Sequence, residues 1–405
     1  MPKNIVLCCD GTGNEIEGNL SNVLKLYRIA RRDEEQRVYY DPSIGTLGQR
    51  DDWNRLKQNA KGVFGLTTGY GLDDNILDAY RFLARHYEAD DDIYLFGFSR
   101  GAYTVRVLAG FLHLVGLLHP DQLNIDGYAL SAYKRASEQD DFSIAWHFQR
   151  IANTRSVTVK FLGVWDTVAS VLVPRKDRLY IPSLLTLPYT RTNPGVRIFR
   201  HAMAIDERRR MFRLNRWTEP QEYVPNPFDK SDPPLQQDIK QVWFAGVHGD
   251  IGGGYPEAES ALSKFPLDWM IGEAEAAGLR IQTAMRNHLV LGHERKGSRQ
   301  EYVAPDRNGC LHDSLTAGWK PLEWLPKRAK WKEWPERRVF AGWYLPRAEP
   351  RVIPEGARMH YSVIARKEAD ASYRPPNLPV QFEIEGPDHA VPNQSESVSE
   401  PPPSV

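Results

Sequence analysis

Three polar side chains, each following a predicted strand, have the types and the chain order needed for nucleophilic catalysis. Ser99 lies in the segment GFSRG, Asp166 ends FLGVWD, and His248 ends WFAGVH. A serine hydroxyl is a weak nucleophile at neutral pH, so it needs a histidine base that is in turn held by a carboxylate. In parallel sheets with a serine turn, the expected order is serine, acid, histidine. The sequence therefore predicts Ser99 as nucleophile, Asp166 as acid and His248 as base.

The context of Ser99 is more informative than the Gly-x-Ser-x-Gly pattern alone. A short apolar run at 93–96 predicts a strand before it, and 100–116 predicts a helix after it. Gly97 and Gly101 would let strand and helix approach closely. The backbone N–H of Arg100, at the start of the helix, is a candidate oxyanion donor. The alternative is a serine that only caps the helix.

Spacing leaves other partners open. Three further histidines and two further carboxylates follow Ser99 in the chain: His201, His312, His360, Asp206 and Asp250.

The segment HGDIGGGY after His248 also predicts a glycine loop that folds closely around a ligand.

The first predicted strand ends in Asp10-Gly11-Thr12. The segment VLCCDGTGN is superficially similar to the Asp-x-Asp-Gly-Thr of haloacid-dehalogenase-type phosphatases, but Cys8 stands where their nucleophilic aspartate would be. We instead expect Gly11 or Thr12 to supply the second oxyanion N–H, with Asp10 bracing the loop through backbone hydrogen bonds.

Alternating strands and helices predict an α/β fold with a mostly parallel sheet covered by helices on both faces. Strands are predicted at 4–9, 37–41, 93–96, 157–164 and 242–247, and helices at 22–32, 73–87, 100–116, 127–136, 142–152, 205–213 and 267–278. Cys8 and Cys9 should point to opposite faces of the first strand. We predict one domain over 1–368, with inserts at 171–195 and 315–345, and a disordered tail rich in proline and serine over 369–405.

Composition excludes some classes of partner. Lys+Arg and Asp+Glu both number 52, so the net charge of zero disfavours nucleic-acid binding as the main role. Three cysteines give neither a disulfide framework nor a metal-ligand spacing, and we expect no cofactor. No secretory leader or membrane-spanning run is visible. We expect the protein to be synthesised in the cytoplasm. Export by a machine that needs no signal peptide stays open as an alternative.

Five ordered segments together resemble a known family. CCDGTGN, GFSRGAYTVR, GVWDTV, HAMAIDERR and GVHGDIGGGY look like the type VI secretion phospholipase-effector-like family, over about residues 4–365. The resemblance implies an α/β-hydrolase-like fold and a serine esterase acting on membrane phospholipids. By motif, it implies the roles of nucleophile, acid and base for Ser99, Asp166 and His248. It also implies partners in a secretion apparatus and an immunity protein.

Two segments bear on the substrate. The apolar, proline-interrupted run 171–190 fits either an acyl-chain wall or a long connection on the core. The insert at 315–345 places five tryptophans among lysines and arginines: Trp319, Trp324, Trp331, Trp334 and Trp343. This composition fits peripheral contact with a membrane-water interface, or a local mini-core under the basic side chains.

The favoured hypothesis is a metal-independent phospholipase A-type or lipase activity on glycerophospholipids. Two alternatives stay open. One is a metal-dependent phosphoesterase using Asp10, Asp250 and a histidine, and the other is a non-catalytic binding module on the same fold.

Overall fold

The computed structural model describes residues 2–11, 19–42, 71–139, 141–168, 172–174, 182–184, 189–224 and 234–386. At its centre is an eight-stranded sheet in which every neighbouring pair of strands is parallel. In spatial order its strands are β2 (Gln36–Asp41), β1 (Asn4–Cys9), β3 (Asp92–Phe98), β4 (Val159–Trp165), β7 (Val196–Ala204), β10 (Asp238–Phe244), β13 (Ala357–His360) and β14 (Phe382–Glu385).

Three short antiparallel pairs lie outside this sheet. They are β5 (Leu172–Pro174) with β6 (Pro182–Leu184), β8 (Glu222–Tyr223) with β9 (Leu235–Gln236), and β11 (Lys327–Arg328) with β12 (Trp343–Tyr344).

Helices cover both faces of the sheet. One face packs against α2 (Leu72–His86), α3 (Arg100–Val115), α4 (Asp126–Gln139) and α5 (Ser143–Ala152); the other packs against α1 (Asn22–Ile29), α7 (Lys264–Ala276) and α8 (Thr283–Leu289). The remaining helices are α6 (His248–Gly252), α9 (Lys320–Glu323) and α10 (Tyr361–Ala369). Each face of the sheet has its own hydrophobic core. Cys9 is buried in the core under α2 to α5, and Cys8 is buried in the core under α1, α7 and α8. The predicted α/β fold, and the opposite orientation of the two cysteines, are therefore confirmed.

The sheet order places Ser99 at a topological switch point. From β1 the chain goes to β2 on one side, whereas β3 lies on the other side and all later strands extend away from it. Helices that leave β1 and β3 in opposite directions open a crevice beyond the carboxyl ends of these strands, and this crevice is where α/β sheets bind ligands. Ser99 directly follows β3.

Two predicted elements are wrong. The helix expected at 205–213 is absent; β7 occupies 196–204 and only a short 3-10 turn follows at Arg210–Phe212. The strand at 196–204 was not predicted either, because β7 lies in the interior of the sheet, where both faces are covered and apolar and polar residues do not alternate simply.

The predicted start of the tail at Ala369 is also wrong. Tyr373 and Asn377 are buried, and β14 pairs with β13 in the main sheet. The proline-rich composition of 374–380 hid this edge strand, whose stability comes from pairing with a distant neighbour. Residues 387–405 lie outside the described residues, as do 171, 175–181 and 185–188 of the insert predicted at 171–195.

Candidate active site

The backbone at Ser99 has the geometry of a sharp strand-to-helix turn. Ser99 has φ 55° and ψ −116°, a backbone conformation with positive φ that residues other than glycine rarely adopt. A Cβ at Gly97 would lie 2.5 Å from the Gly101 carbonyl oxygen, and one at Gly101 would lie 2.1 Å from the Cys9 carbonyl oxygen. The predicted role of both glycines in close packing is confirmed. The strained turn leaves the Ser99 residue partly exposed rather than buried.

His248 connects the serine to a carboxylate. It starts α6 just beyond β10, and its ring is held between the Phe98 and Phe212 rings, with centroid distances of 4.7 and 4.8 Å. Its Nε2 lies 2.9 Å from Ser99 Oγ, and its Nδ1 lies 2.5 Å from Asp166 Oδ2. An Nδ1–H that donates to the carboxylate leaves the Nε2 lone pair facing the serine hydroxyl. This is the tautomer that a general base for Ser99 requires.

Asp166 is fully buried at the end of β4, where it also has a positive φ of 38°. Besides His248, its Oδ1 accepts the backbone N–H of Ala204 at 3.0 Å. Burial alone would raise the pKa of this carboxyl, but the guanidinium of Arg351 and the bond to His248 more than offset it and hold the pKa well below its usual range. The carboxylate therefore stays ionised at neutral pH.

Arg351 is the main component of the site that sequence reasoning missed. Its Nη1 donates to Asp166 Oδ1 at 2.6 Å and its Nη2 to Asp166 Oδ2 at 3.0 Å. The buried guanidinium also donates to the carbonyl oxygens of Ala204 and Phe212, at 3.0 and 2.7 Å. It lies in EPRVIPEG, 185 residues from Asp166 along the chain, and no motif there signals the contact.

The pKa of His248 lies below its ordinary value because burial of the ring outweighs the opposing effect of Asp166. The imidazole is therefore neutral at neutral pH, as a base that must accept a proton has to be.

The three alternative histidines have other partners. His201 lies within β7, and its Nε2 accepts a backbone N–H at 3.2 Å. His312 Nδ1 lies 2.6 Å from Asp250 Oδ1, and the His360 ring stacks on Phe244 with a centroid distance of 4.5 Å. Of the four histidines considered, His248 is the one whose ring nitrogen lies within hydrogen-bond distance of the serine hydroxyl.

The alternative carboxylates also have other partners. Asp206 Oδ2 accepts the Gly246 N–H at 2.7 Å and the Tyr373 hydroxyl at 2.9 Å. Asp250 Oδ2 accepts the Val247 N–H at 3.0 Å, which fixes the first turn of α6. Both thus brace the loop that presents His248.

The loop after β1 is braced by Asp10. This buried carboxylate accepts the Tyr40 hydroxyl at 2.8 Å, the Ser21 hydroxyl, and the Gly11 N–H at 2.6 Å. The Gly11 N–H is therefore engaged by a neighbouring side chain instead of pointing to an open oxyanion position. Thr12, the other predicted donor, lies outside the described residues.

The glycines after His248 serve packing within the protein. A Cβ at Gly252 would lie 2.0 Å from the Phe98 ring, and one at Gly253 would lie 2.8 Å from the Asn22 nitrogen. The sequence predicts that this loop folds around a ligand. In the structure, Gly252 and Gly253 instead make close contacts with β3 and α1.

The described ranges contain neither an assembled metal-ligand cluster nor a membrane-spanning helix. No three histidine, cysteine, aspartate or glutamate side chains there lie close enough to share a metal ion, so the metal-dependent alternative has no assembled ligand set among them. In the same ranges, no helix has the length and apolar character needed to cross a bilayer.

Comparison with known proteins identifies the class. The family model described as "T6SS, Phospholipase effector Tle1-like, catalytic domain" matches residues 3–273, well over half of the chain. The protein therefore belongs to the Tle1-like family of type VI secretion phospholipase effectors and contains its catalytic domain. The match ends before residue 365, the limit expected from the motifs, so Arg351 lies beyond it.

Individual relatives share 18–34% of their aligned residues with this chain. The uncharacterized protein YEL023C of Saccharomyces cerevisiae is 34% identical over 241 residues, which are 56% of this chain and 34% of that protein. An uncharacterized protein from Pseudomonas aeruginosa gives a TM-score of 0.37 at 18% identity, covering 70% of this chain and 47% of its own. The Tle1 effector bound to the VgrG spike gives 0.30 at 19% identity, covering 65% and 53%. The chain thus spans about a third of the yeast relative and about half of each solved protein.

Proposed function

We propose that this protein is a serine hydrolase that cleaves the acyl esters of glycerophospholipids. The observation that carries the proposal is the continuous chain of hydrogen bonds from the Ser99 hydroxyl through His248 to the buried Asp166 carboxylate. Membership of a phospholipase effector family supports the lipid substrate. Contact with a secretion apparatus and an immunity protein belongs to the same proposal and rests on the family alone.

The reaction follows from these contacts. His248 Nε2 takes the hydroxyl proton while Ser99 Oγ attacks the acyl carbonyl carbon, and the carbonyl oxygen becomes an oxyanion near the Arg100 N–H at the start of α3. When the intermediate collapses, the C–O bond to the lysolipid breaks and His248 returns its proton to that oxygen. Water then attacks the acyl-serine carbonyl while His248 takes its proton. The bond between the acyl carbon and Ser99 Oγ breaks, His248 returns the proton to Oγ, and the fatty acid is released.

Asp166 and Arg351 act on the base in this proposal. Asp166 fixes the Nδ1–H tautomer and stabilises the imidazolium that forms during attack. Arg351 contacts both oxygens of Asp166, including the Oδ2 that accepts from His248, so it fixes the orientation of the carboxylate.

A combined lipid and labelling experiment tests the proposal. The protein is incubated with mixed phospholipids, and the products are analysed by mass spectrometry; free fatty acid with lysolipid is the expected result. A fluorophosphonate should label Ser99, and Ser99→Ala should abolish both labelling and hydrolysis. Ser131→Ala, which changes an exposed serine on α4, is the matched control and should behave like the parent. Unchanged hydrolysis by Ser99→Ala would remove the proposal.

A further inference from the structure

Residues 324–347 form an exposed surface that we call the aromatic–basic face. Among its apolar side chains, Phe340 is 85% exposed, Trp324 58%, Leu325 55% and Trp343 47%. Large apolar groups of a packed mini-core would be buried, so that interpretation of the tryptophans is wrong for these residues. Several exposed aromatic residues in one short segment indicate a binding surface.

The most exposed part of this face is a tight turn. Phe340 and Trp343 each donate a backbone N–H to the carbonyl oxygen of the other, at 2.8 and 2.9 Å. The two residues between them, Ala341 and Gly342, have φ values of 47° and 77°, as in a two-residue hairpin turn. Phe340 and Trp343 are thereby presented together at a convex tip.

The charge of the face is strongly positive although the whole chain is neutral. Residues 324–347 contain seven lysines and arginines and two glutamates. One of the glutamates, Glu333, is paired with Arg213 at 2.5 Å. The face therefore matches a negatively charged partner.

Cationic groups lie over its exposed indoles. Arg328 is 5.5 Å from the centroid of the Trp343 ring, and Arg347 is 4.8 Å from that of Trp324. Such pairs place an apolar ring and a positive charge at the same level, which suits the boundary between acyl chains and anionic headgroups.

The inner side of the face is fixed next to the candidate active site. Tyr344 is buried, and its hydroxyl donates to Glu349 at 2.9 Å and accepts from Arg210 Nε at 3.0 Å. Arg210 begins the 3-10 turn that ends at Phe212, whose ring contacts His248. A surface bound by the face would thus be held near the base.

We propose that the aromatic–basic face docks the protein on an anionic lipid bilayer. The Phe340 tip enters the interface, and the surrounding lysines and arginines contact the headgroups. A convex tip favours a bilayer over single-stranded nucleic acid, which binds in basic grooves lined by stacking rings. The choice of bilayer as partner rests on the proposed phospholipase function, but docking itself requires no catalysis.

Vesicle sedimentation with the Ser99→Ala protein tests docking without hydrolysis. Binding should be at least about tenfold stronger to vesicles of phosphatidylcholine with phosphatidylglycerol than to phosphatidylcholine alone, and should weaken as salt is raised. Adding Phe340→Ser with Trp343→Ser should lower the partition coefficient at least about tenfold. Adding Arg328→Glu with Lys330→Glu should lower it by a similar factor on anionic vesicles only.

Matched variants separate docking from folding and catalysis. Ile151→Ser removes an apolar side chain that is 86% exposed on α5, and Lys296→Glu with Arg299→Glu reverses two exposed charges in another loop. Both should change the partition coefficient by less than about threefold. When the face variants are made in protein that retains Ser99, they should keep the parental rate on a soluble short-chain ester and lose activity on vesicles.

Three results would overturn docking at this face. They are equal binding to neutral and anionic vesicles, undiminished binding by both face variants, and tighter binding to a single-stranded oligonucleotide than to anionic vesicles. None of these depends on whether Ser99 is a nucleophile, because binding is measured with Ser99→Ala.

Discussion

Replacing Arg351 with glutamine should move the pH dependence of activity in a defined direction. Arg351 and a protonated His248 would be two cations bonded to the same Asp166 carboxylate. Burial lowers the pKa of His248, and so does the charge of Arg209. Arg351 places a second positive charge on the carboxylate that holds the base, so its removal should raise the pKa of His248 toward the ordinary value. The acidic limb of kcat/KM, where the base is lost to protonation, should move to higher pH.

The contacts give the size of the shift. His248 Nδ1 and Arg351 Nη2 both contact Asp166 Oδ2, at 2.5 and 3.0 Å. At an effective dielectric constant of about 20, two cations that share one carboxylate repel each other by about 2 kcal/mol. This corresponds to an upward shift of roughly 1 to 1.5 pH units in the acidic limb. Breaking a buried ion pair also costs about 3–5 kcal/mol of stability, so the variant should have a lower Tm.

The assay is kcat/KM on a soluble ester across the pH range in which the variant is folded, with Arg351→Lys as control. Lysine keeps the positive charge but loses the two-pronged contact, so its acidic limb should stay near that of the parent while its turnover falls. Turnover of the glutamine variant at the pH plateau should fall by less than the roughly 10⁴-fold that a wrong histidine tautomer costs. An unshifted acidic limb in Arg351→Gln would refute the assigned coupling between Arg351 and the base.

Two further predictions test the acid and the serine turn. Asp166→Asn should lower turnover by about 10³- to 10⁴-fold, because an amide can hold the wrong tautomer of the base. In Asp206→Asn the amide oxygen can still accept from the Gly246 N–H and the Tyr373 hydroxyl, so the loop stays braced and turnover should fall far less; the reverse pattern would reassign the acid. Gly101→Ala should destabilise the protein by about 3 kcal/mol or more in urea unfolding, since its Cβ would meet backbone oxygens. Gly272→Ala, where nothing lies within 4 Å of the added Cβ, should instead stabilise α7 by about 0.5–1 kcal/mol, and equal effects at both sites would contradict the packing argument.

The sequence was most informative where local pattern and final structure depend on the same residues. The strand-turn-helix around Ser99 is encoded by an apolar run, two glycines and an apolar helix that are contiguous in the chain. The start of α1 is similarly local, since the Ser21 side chain caps it by accepting the Leu24 N–H three residues away. Such elements are decided by backbone geometry within a few residues.

The sequence favours His248 as the base but leaves His201, His312 and His360 open. What separates them is which ring lies within reach of Ser99, and His248 Nε2 is 2.9 Å from its hydroxyl. This depends on β10 being two strands from β4 and on the loop braced by Asp206 and Asp250. Strand order is a long-range property that spacing along the chain does not contain.

The sequence by itself determined the alternation that builds a parallel sheet, the strained turn that exposes one hydroxyl, and the local density of aromatic and basic residues at 324–347. Tertiary structure alone decided that β14 forms the edge strand of the sheet and that Phe340 is exposed. It also decided that Arg351, which lies beyond the residues matched by the family model, contacts Asp166. The physical reason is that burial and ion pairing depend on neighbours brought together by folding, whereas turns and amphipathic periodicity depend on neighbours in the chain.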